Sequence, residues 1–161
     1  MTTTDGAAPI KTEGLTKHYG DVKALVGLDL EVQRGEVFGF LGPNGAGKTT
    51  TIRSLLHFLF PTEGKASVLG LDVATNAVEV RSRVAYVPSE YSLYPKLTGA
   101  ENLTYLANLR GGDDRDYVNQ LAELLEVELS RKVSDLSTGA RQKVGLCRGF
   151  MYRCVLVIRA V

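Results

Sequence analysis

The hydrophobic pattern changes period along the chain, and each change marks a different element. Residues 28–32 (LDLEV) alternate apolar and polar positions, which predicts a strand with one solvated face. The IKTEGLTKHYG stretch before them reads as extended chain closing in a turn. Together they predict an outer antiparallel layer. Residues 36–41 (EVFGFL) form instead a nearly unbroken apolar run with aromatic and branched residues, the pattern of a parallel strand covered on both faces. Over 48–60, Ile52, Leu55, Leu56 and Leu59 fall at helical spacing, and Pro61 ends the segment. ASVLG at 66–70 and VAYVP at 84–88 predict further strands, separated by a short polar helix over 76–83. Beyond Pro95 the period is helical. Residues 101–110 and 114–126 flank a Gly111-Gly112 break, 138–152 form a third helix, and the apolar run 155–158 starts like another buried strand. The order is that of an α/β fold with a small helical insert at roughly 90–150. Residues 1–9 are small, polar and aperiodic, and read as a disordered lead-in.

Composition narrows the class without choosing a function. The 161 residues are 44% hydrophobic and 23% charged, with 19 basic against 18 acidic residues, which excludes collagen-like, disordered and supercharged chains. Near-neutrality argues against nucleic acid as the main partner. No stretch approaches 18 consecutive apolar residues and the start MTTTDGAAP lacks a signal-peptide pattern, so the expectation is a cytosolic chain. Cys147 and Cys154 form no C-x-x-C pair, and His18 and His57 are distant from them and from each other. These residues read as packing or reduced spectators rather than a disulfide, metal site or nucleophile.

One motif carries chemistry directly. GPNGAGKT at 42–49 fits G-x-x-x-x-G-K-[ST], a match expected by chance about once in two hundred chains of this length. It lies between an apolar run and a helix, the context its mechanism needs: glycines let the backbone wrap phosphates while a helix N-terminus turns its amides and dipole toward them. Lys48 is placed to reach the β- and γ-phosphates and Thr49 to hold Mg²⁺ through its hydroxyl. The spacing is not the dinucleotide pattern G-x-G-x-x-G, which has no place for this lysine.

Two further segments extend the match. LSTGARQKVGL at 136–146 resembles the LSGGQ signature and its helix, and YVPSEYSLYPKLTGAENL at 86–103 resembles the segment joining core to helical subdomain in ABC transporter ATP-binding subunits. With KHYGDVKAL and GEVFGFL ahead of the phosphate loop, the resemblance covers almost the whole chain, and its middle segment is most similar to exporters of antibiotics or lipids. It implies a P-loop NTPase (RecA-like) core with an outer antiparallel β layer and a helical insert over 10–161. The implied ligands are ATP and Mg²⁺, and the implied partners are a transmembrane permease subunit and a second ATP-binding subunit, as homo- or heterodimer. The implied location is the inner face of the cell membrane.

The resemblance also assigns residues. Tyr19 stands where the family stacks an aromatic on adenine, though an ordinary turn tyrosine would look the same. Gly42, Asn44, Gly45, Ala46, Gly47, Lys48, Thr49 and Thr50 carry the phosphates and Mg²⁺. Ser89 occupies the position of the usual metal- and water-sensing glutamine and is shorter; Glu90 beside it could substitute with a one-residue shift of the loop, but reads first as a solvated carboxylate. Residues 96–102 lie near the expected permease-facing surface, or form simply a loop and helix start capped by Thr98 or Gly99. Ser137 and Gly139 match the signature's hydroxyl and glycine, which contact the γ-phosphate of ATP on the other subunit. Thr138 and Ala140 replace a glycine and a glutamine, and a plain N-cap at Ser137 or Thr138 is compatible with that role. Arg141, Lys143 and Arg148 read as a solvated basic helix face.

One expected pair is missing. The family's four-residue apolar run ends in Asp-Glu, for Mg²⁺ and for the attacking water, whereas Arg159-Ala160 follow the run 155–158, and no acidic residue lies beyond Asp135. The switch histidine is absent too, since both histidines precede the signature. The expectation is a C-terminally truncated subunit, with a frame-shifted tail from near Tyr152 as one version, that hydrolyses ATP weakly and lacks an inner sheet strand. The competing readings are a soluble ABC ATPase of DNA repair or translation and a nucleotide-binding fragment without turnover. The former usually carries long coiled-coil or tandem-domain insertions, and neither is present in this chain.

Overall fold

The computed structural model describes residues 7–89, 93–109, 111–112 and 114–160; residues 1–6 of the lead-in and Glu90 lie outside them. In the first of two units, Met1–Arg83, the alternating segments build an antiparallel sheet. β1 (Ile10–Tyr19) and β2 (Val22–Val32) form a hairpin across Gly20-Asp21, with Tyr19 opposite Val22 and Ile10 opposite Val32. The other edge of β1 takes β3 (Glu63–Val68), which takes the short β4 (Leu71–Asp72), giving the order β2-β1-β3-β4. The outer antiparallel layer expected from the alternation is thus present. Its register slips between Thr12 and Leu15. Buried Thr16 closes the slip by donating to the Gly14 carbonyl at 3.0 Å and accepting from the Gly27 amide at 2.9 Å. β3 passes so close that a Cβ on Gly64 (φ 79) would lie 2.3 Å from the Gly14 oxygen.

α1 (Lys48–Leu55) packs on β2 and β3 and buries Thr51, Ser54 and Leu55. It is shorter than the apolar spacing over 48–60 predicts. His57 adopts a left-handed backbone (φ 53), its amide donates to the Ser54 carbonyl at 2.9 Å, and the Phe58 amide donates to the Arg53 carbonyl at 2.8 Å. This is a Schellman stop, which closes the helix four residues before Pro61 could. Arg81 of α2 (Ala77–Arg83) adds a hydrogen bond to the Leu56 carbonyl at 3.0 Å.

The apolar run 36–41 departs most from expectation. It forms no strand, and Val37, Phe38 and Leu41 are exposed, Leu41 to 90%. A strand interior to a parallel sheet is stable only when both edges find ladder partners and both faces are covered. Among the described residues nothing pairs with this run, so its hydrophobicity alone does not make it core.

In the second unit, Val84–Val161, β5 (Val84–Val87) and β6 (Leu156–Arg159) pair in parallel, Val84 opposite Leu156 and Val87 opposite Arg159. β6 is less buried than a core strand should be. Val155 before it is exposed and only Ile158 within it is buried, because among the described residues β6 has a neighbour on one edge only. Three helices follow the predicted pattern: α3 (Gly99–Asn108), α4 (Arg115–Leu124) and α5 (Thr138–Phe150). They share a core of Leu103, Ala107, Val118, Leu121, Val133, Leu136, Val144, Cys147 and Met151. Gly149 lets α5 lie on β5, since a Cβ there would meet a Val87 methyl at 2.5 Å.

Burial pushes the Cys147 thiol up to about 11. The unfolded thiol ionises from about pH 9, so the unfolded state sheds its proton first and native stability falls as pH rises from there toward 11. Urea unfolding between pH 8 and 11 should show a loss on the order of 2 kcal/mol that Cys147→Ala removes.

Candidate nucleotide-binding site

The phosphate loop is built from the end of α1 outward. Thr51 is the residue that fixes it: its amide donates to the Gly47 carbonyl at 2.8 Å and its hydroxyl to the same oxygen at 3.0 Å. Sequence reasoning overlooked Thr51, although its position on the buried face with Ser54 and Leu55 was available from the helical period. With Thr51 committed to the helix, Thr49 and Thr50 are the hydroxyls left at the mouth, Thr49 exposed and Thr50 half-buried. Gly47 is buried against β2, where a Cβ would fall 2.8 Å from the Ala24 oxygen, and its φ of 82 is one that only glycine adopts freely. Gly45 is likewise left-handed at φ 86.

From Gly42 to Ala46 the loop is exposed, and the Ala46 amide turns back on the Pro43 carbonyl at 3.2 Å. Lys48 folds over it, its Nζ donating to the carbonyls of Gly42 and of Pro43, the latter at 2.8 Å. These are neutral acceptors. A phosphate oxygen offers the ammonium a charge-assisted bond of roughly twice the strength, so the lysine is held where an anion can take it over. Gly47, as N-cap of α1, supplies no side-chain acceptor, and the helix's first amides have none within the helix. The donor set of backbone amides, one ammonium and two threonine hydroxyls therefore fits a polyphosphate with its Mg²⁺.

The distribution of acids supports this. α2, α3 and α4 each carry a carboxylate in the first turn, namely Glu79, Glu101 and Asp116, as complement to the helix dipole. α1 and α5 carry none. Those are the two helices that begin at the phosphate loop and the signature, and an external anion would meet no first-turn carboxylate at either.

At the signature, Ser137 caps α5, its Oγ accepting from the Ala140 amide at 3.2 Å. Ser137, Thr138 and Gly139 are exposed and Ala140 is half-buried. A Cβ on Gly139 would meet nothing within 4 Å, so no packing around it requires glycine. What glycine does here is keep the helix start open to approach. Tyr19, at the hairpin end of β1, is 47% exposed with the Lys17 ammonium 5.2 Å from its ring centroid. Ser89 lies in an exposed bend after β5.

Two expectations fail in this region. Arg141 and Lys143 are not simply solvated: Arg141 Nε donates to the Leu136 carbonyl at 3.0 Å, and Lys143 Nζ to the Glu126 carbonyl at 3.3 Å. Carbonyls left over at the end of α4 and before α5 attract them. Asn102, assigned to a surface segment, is fully buried. Thr98 does cap α3, in a reciprocal box with Glu101, and the Thr98 amide and hydroxyl hold the Glu101 carboxyl below its ordinary range.

Comparison with known proteins adds the family. The model of the ABC transporter family matches residues 25–159. The bacitracin transport ATP-binding protein BcrA of Enterococcus faecalis is 37% identical over 151 residues, covering 92% of this chain and 49% of BcrA. The Nod factor export ATP-binding protein I of Burkholderia pseudomallei is 40% identical over 149 residues, covering 89% of this chain and 49% of that protein. A bacterial Atm1-family ABC exporter solved with ATP bound superposes with a TM-score of 0.82 at 25% identity, over 99% of this chain and 30% of the exporter chain. The chain spans about half the length of the curated relatives it matches.

Proposed function

Because this chain belongs to the ABC transporter family, we propose that it is the ATP-binding part of an ABC-type exporter, holding MgATP and coupling its binding to substrate export through a transmembrane permease subunit. The observation that carries this reading is the loop 42–50, with Lys48 poised on two carbonyls at a helix start free of carboxylates. Gly45, Gly47 and the first-turn amides of α1 hold the phosphates, Lys48 neutralises their charge, and Thr49 takes the Mg²⁺, which supplies charge compensation when bound. Tyr19 offers an aromatic face for adenine. Ser137 and Gly139 offer a second anion-facing helix start to nucleotide on another copy or a related subunit. The export direction follows BcrA and the Nod factor protein, whose names state transport and export. Among the described residues no helix is long and apolar enough to cross a membrane, consistent with a separate membrane subunit.

Turnover by this chain alone is weak in this reading. β6 ends on Arg159, paired opposite Val87, and Ala160 follows, so the positions of the family's Asp-Glu pair bring a cation and a methyl group. Absence of a general base costs about 10² to 10⁴ in rate. Calorimetry with MgATP, followed by phosphate release from the same sample, tests both halves. Saturable binding with turnover at least a hundredfold below a complete relative is expected; robust hydrolysis would refute the second half, and no binding the first.

A further inference from the structure

The turn before α5 is held from behind by side chains that the mechanism above does not use. The Arg141 guanidinium spans it, Nε donating to the Leu136 carbonyl at 3.0 Å and a terminal nitrogen to the Ser134 carbonyl at 3.4 Å. A planar guanidinium holds several donors in a fixed fork and so fixes two carbonyls in one geometry, whereas an ammonium is a compact charge whose donors rotate freely. The same stretch is tied on its other side: the Ser134 amide donates to the Pro95 carbonyl and the Val133 amide to the Leu97 carbonyl, each at 2.9 Å, and Arg131 reaches the Asp135 carbonyl at 2.9 Å. The loop 94–98 that supplies those carbonyls closes in turn on Asn102. Its Oδ1 accepts from the Tyr94 amide at 2.7 Å, and its Nδ2 donates to the carbonyls of Tyr94 at 3.1 Å and Thr98 at 2.9 Å. A buried carboxamide with its bonds made is a rigid anchor. Arg141 is a costlier choice, since a cation near a helix start opposes the dipole. It fits there if the helix start is meant to face an anion.

We propose that Arg141 and Asn102 are positioning residues of the signature turn: Asn102 fixes the loop 94–98, that loop holds Val133 and Ser134, and Arg141 locks Ser134 and Leu136 so that Ser137 Oγ and the first amides of α5 keep their aim. The purpose assigned to this brace rests on the proposed reading of Ser137 and Gly139 as contacts for nucleotide across a dimer; the brace itself does not.

Arg141 is exposed, so its variants test the brace without endangering the fold. In Arg141→Met, amide exchange at Ala140, whose N–H meets Ser137 Oγ, should quicken about tenfold, the scale of losing one charge-assisted hydrogen bond. Arg141→Lys should recover part of the protection through one carbonyl. The MgATP affinity of the isolated chain should stay at wild type, while MgATP-driven self-association measured by sedimentation weakens about tenfold or more. Asn102→Ala, where its circular dichroism matches wild type, should expose the Tyr94, Val133 and Ser134 amides together with Ala140. Unchanged exchange at Ala140 in Arg141→Met overturns the proposal, as does an equal rise along the whole of α5, which would mark a merely structural role. If exchange behaves as expected but the wild-type chain shows no MgATP-driven association, the brace stands and the cross-dimer reading of Ser137 and Gly139 fails.

Discussion

Lys48→Ala is expected to weaken MgATP binding at least a hundredfold while leaving the unfolding transition within about 1 kcal/mol of wild type. Lys48 is the one cation in the loop 42–50. Charge-assisted bonds to phosphate oxygens contribute about 1.5–3 kcal/mol each, and two of them exceed two orders of magnitude in affinity. The fold should be indifferent, because among the described residues the ammonium bonds only to the exposed carbonyls of Gly42 and Pro43. Those oxygens return to water when the side chain is removed. Isothermal titration of both proteins checks the first half and urea unfolding the second. Equal affinity in the variant would refute the phosphate loop as the place where nucleotide binds.

The second large effect concerns 36–41, where sequence and structure disagree. A valine at the centre of a buried strand costs several kcal/mol when replaced by a lysine, through lost burial and a stranded charge. With Val37 fully exposed and Leu41 nearly so, the double substitution Val37→Lys with Leu41→Lys should change stability by less than about 1 kcal/mol. It should also improve behaviour in solution. An exposed six-residue window of high β-propensity, carrying only the Glu36 charge, invites edge-to-edge pairing, and two lysines discourage it. The wild-type chain should therefore bind an apolar fluorescent dye and self-associate without nucleotide, and the double variant should do both several-fold less. Collapse of the variant's circular dichroism would show the run to be core after all.

These two cases show what a sequence can and cannot carry. The hairpin, the cap at Thr98 and the start of α5 at Ser137 were legible because each depends on residues close together in the chain: an alternation closing in a turn, a hydroxyl three residues before the amide it meets. The fate of 36–41 was not, because an apolar run reports what a segment would gain by burial and says nothing of whether a ladder partner exists. The early end of α1 turned on one left-handed residue, His57, against four well-spaced apolar side chains. Asn102 and Arg141 were misread for a related reason. A polar residue on a helix is assigned to solvent unless something folds over it, and here the loop just before α3 and the turn before α5 bring carbonyls to both. Thr51 was hidden by its two neighbours of the same type.

If the loop between Gly42 and Thr50 holds polyphosphate, the backbone amide resonances of the ¹⁵N-labelled chain report it as MgATP is added. Saturable shifts centred on Asn44, Gly45, Gly47, Lys48 and Thr49, reproduced by MgADP and absent in Lys48→Ala, are the predicted result. Shifts confined to other segments, or none at millimolar nucleotide, would contradict it.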